Sequence, residues 1–166
     1  MEMIIRKNNY LIIIMILIFL TSCDSKNVFN QYKSIPNGSW EANHKSNFNF
    51  TREDTISKRN LFINLRNNKH YQFSNIYLIT TLNFPNDTKI IDTLQYEMAD
   101  ATGKFLGSGF SDIKENKLFY KEEKTFPVSG SYSFEVYQAM RKNGQVTGIE
   151  FLDGITDVGF SIEKTN

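Results

Sequence analysis

One thiol, two imidazoles and two close carboxylate pairs are the side chains of this 166-residue chain whose types and spacing could support chemistry. Cys23 is the only cysteine, so its sulfur is open to alkylation and closed to disulfide pairing within the chain. His44 and His70 show neither HExxH nor HxH spacing, and no second cysteine completes a metal set with them. Asp112 with Glu115, and Asp153 with Asp157, are the pairs that a glycosidase would set across a sugar bond. Both fall in turn-like sequence, where Asp bonds its own backbone, and we read them as turn formers. Gly107-Ser108-Gly109 is neither a nucleophile elbow nor a phosphate-cradling loop. The expectation is a chain with no catalytic residues, no metal and no cofactor.

The sequence around Cys23 narrows its chemistry. Arg6-Lys7 precede the apolar run Leu11 to Leu20, and Leu20-Thr21-Ser22-Cys23 follows. A charged start, an apolar core of about 10 residues and a small-residue cleavage site make a secretory signal, too short for a permanent membrane span. Leu-x-small-Cys resembles the lipobox of bacterial lipoproteins. The resemblance implies that residues 1–22 are removed and that Cys23 then carries a diacylglycerol on its sulfur and an acyl chain on its amine. Residues 23–40 read as that cysteine and a polar tether, with Pro36 and Asn37-Gly38 near its end, and residues 41–166 as the folded domain. Asp24 matches an inner-membrane retention signal of enteric bacteria, a rule that does not carry over reliably to other two-membrane envelopes. We therefore expect a lipid anchor in the cell envelope, in the outer membrane, with the leaflet open.

Without residues 1–22 the chain has 144 residues, enough for one core, and 17 basic against 17 acidic side chains. Zero net charge excludes a nucleic-acid binder that works by counterion release from phosphates. No polybasic cluster draws the chain to anionic lipid, so attachment falls to the acyl chains. These hold by about 0.8 kcal/mol per buried methylene, and one chain alone is marginal. With no disulfide available, stability rests on burial, which 14 Phe and 8 Tyr can supply.

From Ser46 onward the hydrophobic period is two. Phe48 and Phe50; Leu61, Ile63 and Leu65; Ile76, Leu78, Leu82 and Phe84; Leu94, Tyr96 and Met98; Leu118 and Tyr120; Tyr132, Phe134 and Val136; and Val158, Phe160 and Ile162 each mark one face of a strand. Turn signals separate them, Asn143-Gly144 among them. About seven to nine short antiparallel strands at this spacing predict an all-β sandwich.

Ala101 to Asp112 breaks the alternation with Gly103, Gly107 and Gly109, as a connection crossing between sheets would. The same loop is a candidate partner-binding surface presenting Phe105, Leu106 and Phe110 beside Asp112. Trp40, Tyr71 and Tyr137 are candidates for stacking on carbohydrate, the alternative being that they pack between the sheets. Asp54-Thr55-Ile56 and Asp92-Thr93-Leu94 resemble a short O-glycosylation acceptor used by some two-membrane bacteria. Glu122-Glu123 between Lys121 and Lys124 reads as a charged strand edge.

Three longer blocks resemble one family, the gliding-motility lipoprotein GldH. They are Asn60-Leu-Phe-Ile-Asn-Leu-Arg-Asn-Asn68 continuing through Tyr71 and Phe73 to Leu78; Asp92-Thr-Leu-Gln-Tyr-Glu-Met-Ala-Asp100 with Gly103 to Phe110 and Asp112 to Leu118; and Met140-Arg-Lys-Asn-Gly144 with Gly154 to Phe160. The resemblance implies an envelope lipoprotein needed by the gliding machinery, which overlaps with type IX secretion. It implies no catalytic residues. The partners expected are the membrane, through the anchor, and other gliding or secretion proteins of the envelope. A membrane-bound carbohydrate-binding module is the alternative.

Overall fold

The computed structural model describes residues 26–109 and 112–165. Their ten strands pair antiparallel throughout. One four-stranded sheet has the order β1 (Asn27–Ser34), β10 (Ile155–Lys164), β4 (Arg59–Asn67), β7 (Lys114–Lys124). The other has the order β3 (Ser46–Arg52), β8 (Gly130–Gln138), β5 (Asn75–Asn83), β6 (Lys89–Glu97). A ribbon of two three-residue strands, β2 (Ser39–Glu41) and β9 (Phe151–Asp153), lies beside them. The eight long strands make the expected all-β sandwich.

The period-two positions meet between the sheets. Leu61, Ile63, Val158, Phe160 and Ile162 of the first sheet and Phe48, Ile76, Leu78, Leu82, Phe134 and Val136 of the second are fully buried. Phe160 is central, with its ring 4.1 Å from Phe134, 5.7 Å from Phe50 and 6.2 Å from Phe48. Burial of side chains this large supplies roughly 1.5–3 kcal/mol each, which offsets the absence of disulfides.

The N-terminal boundary needs correcting. The segment read as tether contains β1, an eight-residue strand paired along the edge of the first sheet. The sandwich therefore takes in residues 27–34, ahead of the boundary expected at residue 41. The residues of β1 are half-buried or exposed on both faces, so its sequence lacks clean alternation. Phe29 reaches the core, 5.4 Å from Phe50. Tyr32 lies on the outer face, where a β-carbon at Gly159 would come within 2.8 Å of its ring. Its hydroxyl donates to Glu115 at 3.0 Å, and the Arg66 guanidinium stands 4.3 Å from the ring.

The register fixes which loops share an end. Asn27 pairs with Glu163, Lys164 with Arg59, and Arg59 with Lys124, so these residues mark one end of the first sheet. Ser34, Asp157, Asn67 and Lys114 mark the other. The Gly103–Asp112 loop, which runs into β7 at Lys114, belongs to the end remote from Asn27.

Candidate interaction surfaces

The Gly103–Asp112 loop is tied down at both of its described flanks. Asp100 accepts from the Thr102 hydroxyl at 2.6 Å, from Thr102 N–H at 2.9 Å and from Lys104 N–H at 3.0 Å. The Thr102 hydroxyl, first among these, holds the carboxyl below its ordinary pKa. Leu106 N–H donates to Met98 O at 3.0 Å, and Ser108 and Glu115 exchange backbone bonds of 2.9 and 2.8 Å. Gly107 is required by close approach, since a β-carbon there would meet Asn116 Oδ1 at 2.8 Å. The described part of the loop is thus pinned to the head of β7.

The candidate partner-binding residues divide. Phe105 turns inward, half-buried against the core with its ring 6.5 Å from Tyr71. Leu106, 55% exposed, and Asp112 are on the surface. Phe110 lies outside the described residues, as does Cys23.

The carbohydrate candidates divide more sharply. Trp40 is fully buried and its indole N–H donates to His44 O at 2.9 Å. Tyr71 is 3% exposed, its hydroxyl donates to Asn75 O at 2.7 Å, and burial pushes its phenol pKa up. Neither ring has a free face for a sugar, so both assignments fall. Each ring is large enough to cap an end of the core, and each finds a backbone carbonyl for its polar atom. Tyr137 does lie on the outer face of the second sheet, opposite Ile79 and 5.6 Å from Lys45 Nζ. A shallow groove of about 370 Å³ beside it is lined by Tyr77, Ile79, Thr93, Ala139 and Arg141. Tyr77 and Ile79 were findable, because with Ile76 and Leu78 inward the alternation sends them outward.

Three of the four paired carboxylates are engaged by structure. Glu115 accepts from Tyr32 Oη and from Arg66 Nε, both at 3.0 Å. Asp153 takes the Ser39 hydroxyl at 2.5 Å, and Asp157 takes the hydroxyls of Ser34 and Thr156, each at 2.9 Å. The most engaged carboxylate is Asp54, which accepts from Arg59 Nη2 at 2.9 Å and from the N–H groups of Ile56 and Ser57. Bonds from Ser57 lead the causes that pull its pKa down to about 2. Of the two threonines in acceptor-like sequence, Thr55 is half-exposed and Thr93 exposed.

Known proteins resemble this chain over nearly its whole length. The GldH lipoprotein family profile matches residues 27–162. A gliding motility lipoprotein GldH homolog from Christiangramia forsetii is 48% identical over 155 residues, covering 93% of this chain and 94% of that one. The gliding motility lipoprotein GldH of Flavobacterium johnsoniae is 43% identical over 159 residues, covering 96% and 98%. Among solved structures, a family GH115 glucuronidase matches with a TM-score of 0.41 at 9% identity, over 87% of this chain and 18% of that one. The infectious bursal disease virus VP2 particle protein matches at 0.34 and 12%, over 86% and 34%. The matched family residues begin at the first residue of β1 and end within β10, so they take in both sheets of the sandwich. The chain belongs to the GldH family of gliding-motility lipoproteins.

Proposed function

We propose that this envelope lipoprotein is a non-enzymatic assembly component of the gliding machinery and of the type IX secretion system linked to it. It is anchored in the outer membrane through a diacylglycerol and an N-acyl chain on Cys23. The observation that carries the reading is the combination of full-length kinship to gliding lipoproteins with polar groups spent on structure. Both carboxylate pairs of the sequence include residues that hold strands together rather than face a shared cleft. At most about 14 Å of extended chain can separate Cys23 from the start of β1 at Asn27. The domain therefore rests against its membrane, and the pinned loop with Leu106 and Asp112 offers a docking surface at the end remote from the anchor.

Affinity purification of the tagged protein from gently solubilised envelopes tests this, with Cys23→Ala as control. Gliding or secretion proteins should be recovered in near-stoichiometric amounts and lost from the control. Recovery of the chain alone would overturn the assembly role.

A second reading, an envelope glycan-binding module, is supported by the exposed Tyr77 and the half-buried Tyr137 on the outer face of one sheet. It requires glycan affinity that falls in Tyr77→Ala and Tyr137→Ala, and equal binding by these variants would dispose of it.

A further inference from the structure

Sheet edges invite pairing with other strands, and folds guard them with bulges, charges and covering side chains. Among the described residues, two of the four edges are interrupted in this way. β1 has a register shift between Asn27 and Phe29, and its Phe29 packs on Phe50 of the neighbouring β3 edge. β7 shifts register twice, carries Lys121 and Lys124, and holds Glu123 at a positive φ of 47°. The Tyr96 hydroxyl also donates to Phe119 O on β7 at 2.7 Å.

β6 is different. It is nine residues long and pairs with β5 from end to end without a shift. Among the described residues its backbone bonds to no strand but β5. Lys89, Ile91, Thr93, Gln95 and Glu97 share its outer face, all exposed, with Ile91 at 67%. Neither Lys89 nor Glu97 has an ion-pair partner among the described residues.

The order of these side chains is self-complementary. Lys89 and Glu97 are equally distant from Thr93, and so are Ile91 and Gln95. We propose that β6 pairs antiparallel with β6 of a second copy of this chain, about a two-fold axis at Thr93. The two second sheets then join into one sheet of eight strands. Lys89 faces Glu97 of the second copy at both ends, Ile91 faces Gln95, and Thr93 faces Thr93. Opposite charges set directly across a strand pair are stabilising, and like charges are destabilising. No adjacent register does as well. An axis at Asp92 brings two aspartates together and leaves Glu97 outside the pairing. An axis at Leu94 sets Ile91 against Glu97. Antiparallel pairing also places the two Asn27 ends at opposite ends of the joined sheet. Both anchors then reach one bilayer with the strands lying along its surface. Confinement there raises the effective concentration of one copy for the other.

The test uses the full lipoprotein in its own envelope. Thr93→Cys, treated with a short bis-maleimide, should give a cross-linked dimer, whereas Thr81→Cys, on the same face but off the edge, should not. In detergent-purified protein, sedimentation should show Lys89→Glu weakening the dimer about tenfold or more. Adding Glu97→Lys to it should restore the dimer, with circular dichroism unchanged throughout. A Thr93 adduct to a different protein, no dimer above the Thr81→Cys control, or a charge swap that fails to restore association would each overturn the proposal.

Discussion

Phe134 of β8 and Phe160 of β10 stack across the sandwich with ring centroids 4.1 Å apart and planes inclined by 17°. Each belongs to a different sheet, so the pair couples the two layers at their centre. Phe48 and Phe50 pack on Phe160 and Tyr120 packs on Phe134, which leaves the site little room to collapse after a truncation.

Phe160→Ala is therefore expected to cost about 3–5 kcal/mol of unfolding free energy. Phe160→Leu, which keeps most of the volume, should cost clearly less. Denaturant midpoints at constant slope measure both. A Phe160→Leu variant as stable as the original chain would mean that the stack adds nothing beyond an apolar side chain.

Gly154 makes the turn between β9 and β10 at φ 90°, and a β-carbon there would overlap the backbone of His70 and Tyr71. Two costs add at this position, a left-handed backbone and a steric clash with rigid main chain. Gly154→Ala should destabilise by well over ~1 kcal/mol, whereas Gly144→Ala, at φ 77° with open space around it, should cost only about that much. Thermal unfolding of the two variants side by side checks the ordering.

Core strands were legible because burial on one face imposes a period of two, and every run from Phe48 to Ile162 entered the sandwich as read. The edge was not. Gln31 pairs with Phe160, and Lys33 with Val158, so β1 turns polar residues toward the core side at its rim, where the Lys33 stem reaches over Phe48. Such a strand has the composition of a linker. Aromatic function was illegible for a related reason. Sequence gives an aromatic its place on a strand or loop, but whether Trp40, Tyr71 or Tyr137 meets solvent depends on what the other sheet and the short ribbon cover. The loop candidates Leu106 and Phe105 are adjacent in sequence and opposite in exposure, a distinction that only the bridge between Ala99 and Phe105 settles.

Asp54 gives the fold an acid-side dependence on pH. Its carboxyl is lowered from 3.8 to about 2 by bonds from Ser57 and Ile56 and by Arg59. A depressed carboxylate contributes its stability in full above its ordinary value and loses it as pH falls toward the folded one. Stability should thus decline between pH 4 and pH 2, and Asp54→Asn should flatten that part of the curve while leaving its shape above pH 5 unchanged. Midpoints collected across pH 2 to 6 supply the comparison.

The loop offers the sharpest separation of structure from function. Phe105 packs on the core, so Phe105→Ala should lower stability, and any loss of partners would follow from that. Leu106 points to solvent and Asp112 is exposed, so Leu106→Ser and Asp112→Asn should leave stability within about 0.5 kcal/mol. If the loop docks on a partner, these two substitutions should still reduce co-purification of gliding components and slow cell movement. Truncation of an interface hot spot costs about 2 kcal/mol or more, roughly thirtyfold in affinity. Unchanged unfolding with lost retention is a result that a merely structural loop cannot produce. Unchanged unfolding with unchanged retention would move the docking surface away from this loop.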